Sequence, residues 1–156
     1  MRVGIGYDIH VLKKGIPLVL GGVKLPSAKG PAGHSDGDAL IHAIVDALLG
    51  AMAAGDIGDH FSDKDPKWKG ADSRLFLRAV RKMLKQKRYR IASIDSVVII
   101  EAPKLAPHKL AMREAIAKDL GVEVSVVSVK AKTHEKVGAI GRGKAVACYA
   151  VASIGK

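Results

Sequence analysis

Two hydrophobic periods alternate along this chain from end to end, with no internal repeat and no linker between them. Arg2 to Val11 reads as a strand, and Ile16 to Leu20 as a second one, joined by a Lys13-Lys14-Gly15 turn into a predicted hairpin. Gly21 to Gly37 is rich in Gly and Pro and predicts a loop. From Asp38 onward, Leu40, Ile41, Ile44, Val45, Leu48, Leu49 and Met52 recur at helical spacing, with Ser35, Asp36 and Asp38 all suited to cap the helix. Gly55 to Asp72 predicts a long irregular stretch, and Asp72 or Ser73 opens a second helix running to about Lys87. Ile91 to Glu101 is a predicted strand whose Val97-Val98-Ile99-Ile100 centre is apolar on both faces, as in a central strand covered on both sides. A third helix opens at Pro107 and stops at Gly121. Val124 to Ala131 predicts a strand, Thr133 to Gly143 a loop, and Lys144 to Ile154 the last strand. The pattern predicts one α/β or α+β domain spanning residues 1–156.

Composition narrows the class. Hydrophobic residues make up 48% of the chain, which argues against disorder, and aromatics are so few that Val, Ile, Leu and Ala must build the core. Cys148 is the only cysteine, so no intrachain disulfide can form, which fits a reducing compartment. The N-terminus lacks an apolar signal core and no run of 18 apolar residues occurs, so the expected location is the cytoplasm, with no membrane partner. The net charge of +11 favours anionic partners. Arg74, Arg78, Arg81 and Lys85 fall on one side of the second helix, opposite Leu75, Phe76, Ala79, Val80, Met83 and Leu84. That is an amphipathic helix with a basic solvated face. The chain carries no aromatic stacking stripe and no recognised DNA-reading motif, so no nucleic-acid partner is expected.

Three segments carry candidate chemistry. Asp8 and His10 sit two apart on a strand, so they share a face, and both are good zinc ligands; the same pair also suits a salt bridge at a strand end. His34-Ser35-Asp36-Gly37-Asp38 leads into a helix carrying His42 and Asp46. His42 can supply a third ligand and leave one position open, the pattern of catalytic zinc, with Asp46 one turn on to orient the imidazole; a surface His–Asp pair fits the spacing equally. Lys130-Ala131-Lys132-Thr133-His134-Glu135-Lys136 runs into a Gly-rich loop with Arg142, which suits phosphate oxygens, while Glu135 can hold Mg²⁺; a solvated basic loop is the alternative. The acidic stretch from Gly55 to Asp65 suits sugar hydroxyls or a metal, and His108 and Cys148 read as structural.

Taken together, these segments resemble the 2-C-methyl-D-erythritol 2,4-cyclodiphosphate synthase family. The stretches that carry the resemblance are RVGIGYDIH (2–10), GHSDGDALIHAIVDALLGA (33–51), GDIGDHFSDKDPKWKGADS (55–73), APKLAPH (102–108), VKAKTHEKVGAIGRG (129–143) and AVACYAVASI (145–154). They cover the chain nearly end to end and in order. The resemblance implies a mixed sheet with helices packed on one face, assembled as a homotrimer with active sites at subunit interfaces. It implies zinc on Asp8, His10 and His42, and a second divalent cation, Mg²⁺ or Mn²⁺, on Glu135. His34 and Thr133 match residues that stabilise the transition state, and Ser35 lies in the same substrate-contacting segment. Asp56 and Gly58 match the ribose contacts, with Ile57 between them among the substrate-binding residues, and Phe61, Ser62, Asp63, Lys64 and Asp65 match a stretch lining the substrate site. Ile100, Glu101, Ala102, Pro103, Lys104, Leu105 and Ala106 match a cytosine pocket. Lys132, Thr133, His134 and Glu135 match the diphosphate-binding loop, followed by Ala139 and Arg142. Ala139 and Ile140 stand where the family often has Phe, and Ser62 and Lys64 replace commoner Pro and Thr.

The implied substrate is 4-diphosphocytidyl-2-C-methyl-D-erythritol 2-phosphate. Its 2-phosphate attacks the β-phosphorus, CMP leaves and a cyclic diphosphate forms in isoprenoid precursor biosynthesis. Three other readings compete: a zinc phosphohydrolase that uses activated water, a basic nucleic-acid-binding module, and a non-catalytic metal-binding trimer subunit that holds zinc without turnover.

Overall fold

The computed structural model describes all of residues 1–156. Its scaffold is a five-stranded mixed sheet of order β4-β1-β7-β5-β6, formed by β1 (Arg2–Lys14), β4 (Lys29–Pro31), β5 (Arg90–Ile99), β6 (Val127–Lys132) and β7 (Ala145–Gly155). Only the β5–β6 pair is parallel. Its crossover runs through the helix α4 (Lys109–Leu120), as a parallel connection requires. The α/β or α+β expectation therefore holds as α+β with a mixed sheet.

The predicted hairpin between the first two strands does not form. β2 (Leu18–Leu20) pairs instead with β3 (Val23–Leu25) in a separate ribbon, while β1 pairs with β4 and β7. The turn chemistry explains the difference: Gly21 and Gly22 have φ of 61° and 74°, the two positive values that a tight two-residue hairpin demands. Gly21 to Gly37, expected as loop, thus contains two short strands.

α1 (Ala39–Ala51) and α3 (Arg74–Gln86) form where helical spacing predicts them, and α4 is preceded by a 3₁₀ turn at Ala106–His108. Asp38 caps α1 by accepting from the Ile41 N–H at 3.0 Å. It also accepts from Gly21 and Gly22, tying the β2–β3 turn to the start of the helix. Gly121 ends α4 in the left-handed conformation. Two further short helices, α2 (Ile57–His60) and α5 (Gly138–Gly141), lie in segments expected as irregular, and Val124–Val126 is a 3₁₀ turn before β6.

α1 packs on β1 and β7, α4 on β6, and α3 against α1 and α4. All but three of the thirteen residues of α1 are buried, so it forms the centre of a 33-residue hydrophobic core. The helix lies directly on the backbone of β1: a Cβ at Gly6 would stand 1.9 Å from the Ala43 carbonyl oxygen, and one at Gly4 2.0 Å from that of Ala47. Along β1 the side chains alternate, so Gly4, Gly6, Asp8, His10 and Leu12 face the helices. Val3, Ile5, Tyr7, Ile9 and Val11 face the other way and are exposed, as are Tyr149 and Val151 beside them on β7.

Two expectations need correction. β5 is not covered on both sides: it lies second from the sheet edge, and Val97 and Ile99 are only half-buried on the uncovered face. The basic face of α3 is not simply solvated either. Arg74 and Arg78 both donate to the Asp119 carboxylate on α4, and Arg81 reaches the Asp119 carbonyl. Sequence spacing showed the cations but not the acidic residue across the helix pair. No helix is long and apolar enough to cross a membrane.

Candidate metal centre and substrate cleft

Strand alternation and the close α1–β1 approach bring three donors together. Asp8 Oδ2 lies 2.9 Å from His10 Nε2 and 3.0 Å from His42 Nδ1, and the two imidazole nitrogens are 3.3 Å apart. Ligands of a tetrahedral zinc ion with bonds of about 2.0–2.1 Å stand roughly 3.3 Å from one another. The triangle therefore matches one face of such a tetrahedron, slightly contracted. The donor set, one carboxylate and two imidazoles, fits a divalent cation and leaves a fourth corner for another ligand.

The local electrostatics agree with a site built for positive charge. Burial raises the Asp8 carboxyl, but hydrogen bonds from His10 and His42 outweigh it and hold the group well below the usual carboxylate range. The Asp8 carboxylate in turn raises His10 above an ordinary histidine, against the lowering effect of burial. Asp38, just behind, is pushed up to about 6 by complete burial, against the backbone N–H groups it accepts from.

His42 is not oriented by Asp46. The Asp46 carboxylate accepts from the Ile57 N–H at 2.7 Å and so anchors α2. The outer nitrogen of His42, Nε2, instead lies 2.9 Å from Ser73 Oγ and 3.2 Å from Ser35 Oγ. The helical i,i+4 spacing to Asp46 was visible in the sequence, whereas Ser73 comes 31 residues later and meets His42 only through the packing of α3 beside α1.

Beside the triangle is a cavity of about 390 Å³ lined by His10, His34, Ser35 and His42 on one side and by Ile57, Gly58, Phe61 and Asp63 on the other. Trp68 and Phe76 complete the wall. Their sequence positions, one in the irregular stretch and one on the apolar side of the second helix, do not mark them as partners, yet with Phe61 they form one aromatic group, with ring centroids 4.6–5.4 Å apart. A lone Trp in an irregular stretch of an aromatic-poor chain was the available signal. Backbone bonds from Gly70 to His34 and from Asp36 to Ala71 hold this stretch against the His34 segment.

Other expected residues serve the loop itself. Asp56 accepts from the Asp59 N–H as the cap of α2. Ser62 accepts from the Lys64 N–H, and Asp65 from the Lys67 N–H.

The remaining expected residues gather elsewhere. Ile100, Glu101, Pro103, Lys104, Leu105 and Ala106 line a second, 210 Å³ cavity with Ala131, Lys132 and Thr133, and Ala102 lies within the same segment. Glu101 accepts from the His134 N–H, and Thr133 donates to Glu135 across a turn in which Glu135 and Lys136 both have positive φ. Ala139 lies on α5 and Arg142 ends it, both exposed. Glu135 is not part of the Asp8–His10–His42 group. Within one chain the expected site is therefore split between two cavities with no lining residue in common. A further concavity, about 650 Å³ at the C-terminal ends of α3 and α4, contains none of these residues.

Comparison with known proteins bears on this geometry. The model of the YgbB family matches residues 1–155. The 2-C-methyl-D-erythritol 2,4-cyclodiphosphate synthase of Thioalkalivibrio sulfidiphilus is 54% identical, covering 99% of this chain and 96% of its own. Among solved structures, the IspF of Plasmodium falciparum in complex with CDP superposes with a TM-score of 0.86 at 40% identity, over 98% of this chain and 94% of that one. The bifunctional IspDF of Campylobacter jejuni gives 0.89 at 36% identity over 98% of this chain, which spans only 42% of that longer protein. With likeness over nearly its whole length in both sequence and fold, the chain belongs to the YgbB family of 2-C-methyl-D-erythritol 2,4-cyclodiphosphate synthases.

Proposed function

We infer that this enzyme converts 4-diphosphocytidyl-2-C-methyl-D-erythritol 2-phosphate into 2-C-methyl-D-erythritol 2,4-cyclodiphosphate and CMP, in the cytoplasm, as a step of isoprenoid precursor biosynthesis. The observation that carries the reading is the Asp8–His10–His42 triangle, dimensioned for a tetrahedral divalent cation and open to a cleft. The reaction is a substitution at phosphorus: an oxygen of the 2-phosphate bonds to the β-phosphorus as the bond from that phosphorus to the bridging oxygen breaks. CMP departs with the electron pair. Both reacting groups belong to one substrate, so the protein must supply position and charge rather than a nucleophile.

Zn²⁺ on Asp8, His10 and His42, with Mg²⁺ or Mn²⁺ on Glu135, supplies charge neutralisation at the diphosphate when bound. The chain's own residues do the rest. His34 and Ser35 line the cleft beside the triangle and donate to phosphate oxygens there. Lys132, Thr133 and the amides of His134 and Glu135 hold the diphosphate from the other side, and Arg142 adds positive charge. Asp56, Ile57 and Gly58 take the ribose, and Phe61 to Asp65 line its path. Ile100 to Ala106 receive the cytosine. Holding two anionic phosphates in closing geometry can contribute several kcal/mol of the roughly 7–11 available to well-oriented intramolecular reactions.

The same reading makes the enzyme a homotrimer with active sites at subunit interfaces. Two features support assembly: the exposed apolar stripe of Val3, Ile5, Tyr7, Ile9 and Val11 with Tyr149 and Val151, and the division of the site between two cavities of one chain. The decisive experiment incubates the CDP-linked substrate with enzyme and Mg²⁺ in isotopically labelled water. Equal amounts of CMP and unlabelled cyclic diphosphate are expected. A linear product carrying solvent oxygen identifies a phosphohydrolase and ends the proposal.

A further inference from the structure

Ser73 occupies the residue before α3, where a serine side chain ordinarily accepts from a backbone N–H of the first turn. It makes no such bond. Asp72 accepts from the Arg74 N–H at 2.9 Å instead. Ser73 is fully buried, and its hydroxyl is committed elsewhere: it donates to Asp36 Oδ1 and lies 2.9 Å from His42 Nε2. The other Asp36 oxygen accepts from the Ser73 N–H at 3.2 Å, so the carboxylate grips Ser73 by two bonds.

The directions of these bonds follow from what each group can do. A carboxylate oxygen accepts, so the single hydroxyl proton of Ser73 points at Asp36. Ser73 then has only lone pairs to offer His42, which makes Nε2 the donor. A neutral imidazole protonated at Nε2 carries its lone pair on Nδ1. That is the atom 3.0 Å from Asp8 Oδ2 and 3.3 Å from His10 Nε2. The tautomer protonated at Nδ1 alone would set two acceptors, Nε2 and Ser73 Oγ, against each other at 2.9 Å and leave Nε2 only the longer 3.2 Å contact with Ser35 Oγ.

We propose that Asp36 and Ser73 are positioning residues that lock His42 in the Nε2-protonated tautomer and aim its Nδ1 at the metal position. The proposal rests on the reading of Asp8, His10 and His42 as a metal centre and adds what makes His42 ready for it. Neither residue touches substrate in this role; both act through the imidazole.

The test needs no turnover. Long-range ¹H–¹⁵N spectra of the metal-free protein report the His42 tautomer, and competition with a chromophoric chelator gives the Zn²⁺ affinity. The wild type is expected to keep a proton on Nε2, with any proton on Nδ1 held by Asp8 Oδ2 and given up when Zn²⁺ binds. Ser73→Ala should give mixed tautomers and weaken Zn²⁺ binding by about 10–100-fold, the usual effect of losing a partner to a ligating histidine. Ser73→Thr, which keeps the hydroxyl, should restore both. Should Ser73→Ala fail to fold, Asp36→Asn gives the same reading, because its amide can donate to Ser73 and turn the hydroxyl proton toward His42. An unchanged tautomer with unchanged affinity in the folded variant overturns the proposal. Wild-type Zn²⁺ affinity in His42→Ala overturns the metal centre instead, so the two failures are separable.

Discussion

Substituting Gly6 by Ala tests the link between fold and site most directly. The added Cβ would meet the Ala43 carbonyl oxygen at 1.9 Å, the Ala47 nitrogen at 2.8 Å and the Ala43 carbonyl carbon at 2.9 Å, all backbone atoms that cannot rotate away. Restoring an ordinary contact of 3.4 Å requires strand and helix to separate locally by about 1.5 Å. The residue before His42 and the residue after it are both in the α1 core, so His42 moves with that backbone. Opening the 3.0 Å edge between Asp8 and His42 by even half of that separation takes it past the roughly 3.3 Å that a tetrahedral ion accommodates.

Overpacking a core ordinarily costs about 1–3 kcal/mol, and a clash with backbone belongs at the upper end. Gly6→Ala should therefore lower unfolding stability by about 3 kcal/mol and Zn²⁺ affinity by at least about tenfold, the equivalent of only ~1.4 kcal/mol. Urea denaturation of the metal-free protein and chelator competition measure the two effects. Gly155→Ala is the control, since nothing lies within 4 Å of its Cβ and its φ is not positive. If Gly6→Ala matches Gly155→Ala in both measurements, α1 does not depend on bare strand backbone and the account of how the site is positioned fails.

Other expectations follow from the same geometry. Glu135→Gln should leave Zn²⁺ binding at wild-type affinity, since Glu135 is not in the Asp8 group, while raising the Mg²⁺ or Mn²⁺ needed for half-maximal CMP release; an unchanged metal titration removes Glu135 from the second cation site. Ile5→Asp places a charge in the middle of the exposed apolar sheet face, and light scattering should show the proposed homotrimer falling to monomers, with CMP release lost; a variant that keeps the wild-type mass removes this face from the proposed interface. The pH dependence has a definite sign. Asp8 raises His10 above its ordinary 6.5, so the protonated ring stabilises the metal-free fold below that value, and this contribution is lost as pH rises through the folded pKa. Zn²⁺ affinity must run the other way, strengthening as the proton leaves. Parallel trends of metal-free stability and Zn²⁺ affinity with pH would contradict this assignment.

Local pattern made α1, α3, α4 and the three long strands legible, because each has an apolar face whose period depends only on neighbours in sequence. Pairing was less legible. The 13 residues of β1 look like half of a hairpin with Ile16 to Leu20, but pairing is decided by turn stereochemistry and by competition among strands. The Gly21-Gly22 pair closes β2 on β3, and β1 gains ten paired positions with β7 at the far end of the chain. The doubly apolar Val97–Ile100 segment misled in an instructive way. Such a run signals that both faces are destined for burial without saying by what, and here only one face is covered by the chain's own helices.

The site divides along the same line. Asp8 and His10 declare themselves because a strand's alternation is local, and α1 places His42 at its start wherever α1 packs. Gly4 and Gly6 were the missed signal: glycines two apart on the inner face of a strand indicate that another backbone approaches there. Ser73 was legible only as a cap, since its partners Asp36 and His42 lie 37 and 31 residues away. A cap position is chosen for helix stability and is replaceable by any good capping residue. A hydroxyl fixed between a carboxylate and an imidazole is not, because an Asp at that position would bring a second acceptor against Asp36 and an Asn would reverse the proton order. The requirement for a hydroxyl at position 73 is therefore set by His42 and Asp36 rather than by the helix that Ser73 begins.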